Sequence, residues 1–155
     1  MNGALDYYRD VENIWAISGY SFPMKSLKNY PHDVFYSYRG CSWGWATWSD
    51  RWETVDWQVK AYDQFADDPK WVERFNRGGF DLANMLKMQM DGKIDSWAIR
   101  WCFSQSNQEM YTVYPRISYL ENAGCDGSGI HSSVYDEYYT DMSQCVPKCK
   151  FETLE

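Results

Sequence analysis

Blocks of polar and apolar residues alternate along the chain, and the period within each block predicts its local structure. Met1 to Tyr8 has the pattern of the inside of an amphipathic helix with no capping residue before it, and this helix stops near Asp10. Ile14, Trp15 and Ile17 make 13–18 a short buried strand, ended by Gly19 and Pro23. The polar stretch Ser26 to His32 predicts a loop. Alternation over Val34 to Tyr38 predicts a second strand, and Thr47 to Trp52 should open a helical turn. Apolar residues fall at helical spacing from Val59 to Phe65. Asp67-Asp68-Pro69 then places an acidic cap and a first-turn proline at the head of a helix reaching Phe75, which Asn76-Arg77-Gly78-Gly79 breaks.

Leu82, Met85, Leu86 and Met90 recur at i, i+3, i+4 and i+8, an amphipathic helix closed by Gly92. Asp95 is placed to cap the next helix. There Trp97, Ile99, Trp101, Cys102 and Phe103 are apolar on nearly every side, as in a buried helix. Tyr111 to Tyr114 predicts a strand ending at Pro115, with Ile117 to Leu120 as its extension. Asn122 to Ser133 is a polar, glycine-rich loop, and the tail with Tyr135, Tyr138 and Tyr139 is weakly patterned. The expected class is α+β, with helices packed on a small mixed sheet. No βαβ alternation is long enough to build a parallel sheet alone.

Composition narrows the functional classes. A chain of 155 residues is one domain with a real core, taken as 1–153 because Leu154-Glu155 could be a cloning scar. Nine Trp and 13 Tyr sit in a chain of mean hydropathy −0.65, so much of the apolar surface lies on rings with a polar handle. That combination favours a wet, aromatic-lined cleft over a dry bundle. Acids outnumber bases 22 to 15, giving a net charge of −7, which argues against nucleic acid and anionic membrane surfaces as partners. No apolar run approaches the ~18 residues of a membrane span, and no basic-then-apolar leader is present. Five cysteines, an odd number, fit reduced thiols and a cytoplasmic location better than a disulfide framework. Cys145, Cys149 and His131 form an incomplete metal-ligand set at loose spacing.

Four segments carry candidate chemistry. Between Gly40 and Trp52, Trp43, Trp45, Trp48 and Trp52 alternate with glycine and small polar residues. Flat indole faces beside exposed backbone suit a carbohydrate or nucleotide ring, though a Trp-rich structural hub has the same composition. Asp95 faces the orphan N–H groups of a helix start, where a carboxylate is either a plain cap or a general base for a nearby hydroxyl. The loop 122–132, with Gly124, Gly127, Gly129 and His131, is either a phosphate-approaching flap or a flexible surface loop. Arg77, beside Gly78 and Gly79, serves either an anionic substrate group or a turn with a solvated charge.

Taken together, Ile17-Ser18-Gly19-Tyr20, the 40–52 segment, Gly92 to Trp101, Tyr114 to Ser118 and Asn122 to His131 resemble the C-terminal half of a GT-A-class glycosyltransferase. The likeness is to bacterial family 2 enzymes and, distantly, to the N-acetylglucosaminyltransferase I type. The resemblance implies the C-terminal portion of a GT-A α/β fold and transfer of a sugar from a nucleotide-sugar donor to a glycan hydroxyl, with inversion. It implies that Asp95 is the catalytic base, although the family often places a second acid where Ser96 stands. Trp43, Gly44, Trp45, Trp48, Arg77, Arg100, Gly127 and Ser128 would contact substrate, and His131 would lie near the metal. That metal would be Mn or Mg, with its main ligands outside this chain.

The implied partners are donor, acceptor and an N-terminal nucleotide-binding half, with no membrane span and a site of action that a lipid-linked acceptor could bring to the inner face of the membrane. One departure stands out: no Asp-X-Asp-like metal motif is present, and Asp67-Asp68 opens a helix rather than following a buried strand. In the family that motif would lie just before Met1, so the chain is expected to be a fragment, inactive by itself. The alternative is a non-catalytic carbohydrate-binding module built on a Trp-rich cleft. A purely structural domain would bury Trp43 and Trp45 in the core.

Overall fold

In the computed structural model, residues 1–121, 140 and 148–153 are described. Four strands and six helices follow one another as α1 (Asn2–Tyr8), β1 (Ile14–Ser18), β2 (Val34–Ser37), β3 (Trp45–Ala46), α2 (Ser49–Glu53), α3 (Tyr62–Ala66), α4 (Pro69–Phe75), α5 (Leu82–Met90), α6 (Trp97–Asn107) and β4 (Tyr111–Pro115). Short 3-10 turns at Lys25–Asn29 and Asn76–Gly78 interrupt the connections. The class is α+β with a small mixed sheet.

The sheet order is β2-β4-β1-β3. β1, buried at all five positions, is flanked by partners on both edges, as its continuous apolar run requires. It runs parallel to β4, pairing Ile17 with Val113, and antiparallel to β3, pairing Ile17 with Ala46. β2 runs antiparallel to β4 from Val34–Pro115 to Ser37–Thr112. α1 packs Ala4 and Tyr8 on Ile14, Ile17, Val34 and Val113, while Trp15 and Ala16 meet Trp101 of α6. Gln105 of α6 is fully buried. Its amide donates to the carbonyls of Ser37 and Met110 and accepts from the Thr112 hydroxyl, so one polar side chain ties α6 to both β2 and β4. Tyr8 donates to the Glu152 carbonyl, and Lys150 N–H to Asp33, pinning the 148–153 segment across the sheet.

Local sequence explains the helices in part. Asp68 accepts from the N–H groups of Lys70 and Trp71, with Pro69 at the first position, so α4 starts and ends where its caps predict. The helical spacing from Val59 yields helix only from Tyr62, because Val59 sits in the left-handed region at φ +50. Residues 117–120 do not extend β4. Ser118 folds its hydroxyl back onto the Leu120 carbonyl and Tyr119 N–H binds the Gly19 carbonyl, which turns the chain away from the ladder. The stretch Ser26 to His32, expected as loop, is 3-10 helix in its first part, within Lys25–Asn29. Among the described residues no helix is long and apolar enough to cross a membrane.

Candidate functional site

A cleft of about 700 Å³ opens between the Gly40–Trp43 segment and the start of α6, with Leu82 and Met85 of α5 as one wall. Each side is built by a specific local device. Gly40 lies so close to α6 that a Cβ there would come within 2.8 Å of Trp101 Cδ1, so only glycine lets the segment approach. Trp43 lines the cleft, edge-on to Tyr20 at 4.8 Å, and its backbone N–H donates to Cys41 Sγ. Burial pushes the Cys41 and Cys102 thiols up from their ordinary range, so both cysteines lining the cleft behave as apolar wall.

Asp95 lies on the same cleft as Trp43, and its carboxylate is exposed. The expectation that it caps α6 is corrected. The N-cap is Ser96, no side chain caps the helix start, and the Ser96 N–H is taken by Gln89 Oε1 of α5 at 2.5 Å. Gln89 is buried, so it fixes the 94–96 turn from behind and leaves Asp95 without a hydrogen bond or ion pair among the described residues. A carboxylate so placed can accept a proton from a hydroxyl brought into the cleft. Trp97, the first residue of α6, lines the cleft beside it and is 43 % exposed.

Arg39 forms part of the wall and is held by a bidentate pair to Asp81, at 2.7 and 2.9 Å. Its hydrogen bonds hold the Asp81 carboxyl below the usual carboxylate range. Gly79 makes the pair possible: at φ +149, a Cβ would fall 2.4 Å from Arg39 Nη1 and 2.6 Å from Asp81 Oδ1. Arg39, Gln89 and Trp97 escape sequence reasoning. Arg39 lies just beyond a strand and shows its role only through a partner 42 residues away. Trp97 is hidden in a helix apolar on almost every side, and Gln89 is passed over although it stands on the buried face of α5 with Leu82 and Leu86, where a polar residue breaks the apolar pattern.

The expected substrate-contacting tryptophans are not brought together. Trp43 lines the cleft; Trp45 is half-buried in a separate cluster with Trp101 and Trp57; Trp48 is buried against α1, with the Arg51 guanidinium 4.6 Å over its ring. Gly44, at φ +52, reverses the chain between the first two and so sends their rings apart. Arg77 is away from the cleft. Its guanidinium lies 4.1 Å over Tyr38 and its Nε donates to the Arg74 carbonyl, a turn-stabilising role. Arg100 is half-buried and has no ion pair among the described residues. Gly127, Ser128 and His131 lie outside the described residues. No group of three or more His, Cys, Asp or Glu side chains converges among the described residues. No protein-family model, curated protein or solved structure matches the chain.

Proposed function

We propose that this chain is the acceptor side of an inverting sugar transferase of the GT-A kind, with Asp95 as general base. One observation carries the reading: an exposed carboxylate, without a partner among the described residues, shares a cleft with two indoles, the half-buried Trp43 and the exposed Trp97. The indoles suit the C–H face of a sugar ring, and the carboxylate suits its hydroxyl. Asp95 takes the proton of the acceptor hydroxyl as that oxygen bonds to the donor's anomeric carbon. The bond to the nucleoside diphosphate breaks on the opposite face, inverting the centre. The described residues do not supply a ligand set for the Mn²⁺ or Mg²⁺ that the resemblance implies. Cytoplasmic action, at the inner membrane face with a lipid-linked acceptor, goes with this reading, as does an upstream nucleotide-binding half.

The test is Asp95→Asn in protein that includes that upstream half. Transfer should fall by about 10²–10⁴-fold with donor binding intact, the usual worth of a general base. Unchanged turnover removes Asp95 from the chemistry. A glycan-binding module without chemistry is the second reading, favoured by the exposure of Trp52 and Trp97. It predicts sugar binding by the chain and no transfer by any longer form.

A further inference from the structure

We infer that the cleft selects a neutral sugar carrying a methyl group, as an N-acetylated or 6-deoxy sugar does, over its fully hydroxylated and acidic counterparts. This rests on the sugar-transferase reading for the identity of the ligand. Polarity is graded across the cleft walls. Ser42 and Asp95 are polar and exposed. Phe22, Met85, Ile94 and Ala98 line the same space half-buried, and all four are apolar. Leu82, Ile99 and Cys102 complete the apolar side and are buried. Ser96 adds a half-buried hydroxyl next to Asp95, so the hydrogen-bonding side chains gather around the carboxylate.

A sugar whose hydroxyl meets Asp95 therefore turns its other substituents toward carbon and sulfur. A hydroxyl seated there gives up its water and gains no partner, which is a net cost. A methyl group seated there loses only unfavourable contact with water. Burial raises both thiols, Cys41 and Cys102, so neither offers a charge to the ligand. Acidic sugars find no counter-charge. Arg39 is the cation on the wall, and Asp81 already engages both of its terminal nitrogens, at 2.7 and 2.9 Å. Asp95 on the same cleft would repel a second carboxylate. The volume of about 700 Å³ lies within the usual range of small-molecule sites, about 300–1,000 Å³, and leaves room for a ring with its substituent.

The test titrates the chain, by ligand-observed NMR, with matched sets of methyl glycosides. Each set holds a hexose, its 6-deoxy form, its 2-acetamido form and its uronate, in gluco, galacto and manno configuration. In at least one configuration a methyl-bearing member should bind about fourfold more tightly than the hexose, the equivalent of one buried CH₂ at about 0.8 kcal/mol. The uronate should bind more weakly than either. Met85→Gln puts a polar group on the apolar side and should bring the ratio below about twofold. Ile94→Thr serves the same purpose if Met85→Gln lowers the thermal midpoint. The proposal is overturned if the hexose or the uronate binds at least as tightly in every configuration, if the folded variant keeps the wild-type ratio, or if no member binds. Asp95→Asn separates this from the transferase reading. Transfer that survives it removes the base and leaves a measured methyl preference standing; Asp95-dependent transfer with a preference for the hexose overturns only the methyl assignment.

Discussion

The two sides of α6 are packed from aromatic residues in opposite styles. On the side facing α3, α4 and α5, Phe103 meets Phe65 at 5.1 Å and Phe75 at 5.5 Å, edge to face at 80° and 87°, and all three rings are buried. On the side facing the sheet, Trp101 meets Trp15 at 4.7 Å and Trp45 at 4.8 Å in tilted contacts. The indole N–H groups of Trp15 and Trp101 are buried without an acceptor among the described residues, and the outer rings Trp52 and Trp97 are partly open to solvent. Phenylalanine carries no polar atom, so the first cluster closes without penalty. An indole adds an N–H that must find an acceptor, since a buried N–H left unpaired costs about 1–3 kcal/mol. The phenylalanine side is closed and fully apolar, whereas the tryptophan side is half open and carries polar N–H groups within its packing.

That contrast makes measurable claims. Phe103→Ala removes a fully buried ring and should cost about 3–5 kcal/mol in urea unfolding. Trp52→Ala, on the open side, should cost about 1 kcal/mol or less by the same measurement. Equal losses would erase the distinction. Gly79→Ala acts where the closed side meets the cleft, by forcing a side chain into φ +149 and against the Arg39–Asp81 pair. It should cost about 1–3 kcal/mol, read as a fall in Tm.

The smallest effect expected is electrostatic. Because Arg39 depresses the Asp81 carboxyl, the pair stabilises the fold above the unfolded carboxylate pKa of about 3.9 and loses that contribution as pH falls through the lower folded value. Asp81→Asn should flatten the acid limb of a Tm-against-pH profile. At neutral pH its cost should be no more than about 1 kcal/mol, since both side chains are partly exposed. An unchanged acid limb would assign the acid sensitivity to other carboxylates.

What could be read from the sequence was whatever neighbouring residues decide between themselves. α4 was legible because Asp68 and Pro69 carry its start locally, and β1 because a continuous apolar run suits a central strand. β3 was not, since two residues become strand only by pairing with Ile17 and Ser18 of β1. Asp95 was legible as a candidate carboxylate but not as an uncapping one, because the Ser96 N–H is satisfied from α5. The spacing of Trp43, Trp45 and Trp48 said nothing of their separate destinations once Gly44 had turned the backbone. The contact of Trp45 with both Trp52 and Trp97 joins distant segments and left no local trace.

The parallel pairing of β1 with β4 has a consequence for how the molecule reaches its native state. Ile14 finds Tyr111 only after all of α2 to α6 has been traversed. Closing so long an excursion is entropically slow, whereas the contacts among α3, α4, α5 and α6 are short in sequence. The helices should therefore acquire structure first and the sheet zip up last, making its completion the rate-limiting event of refolding.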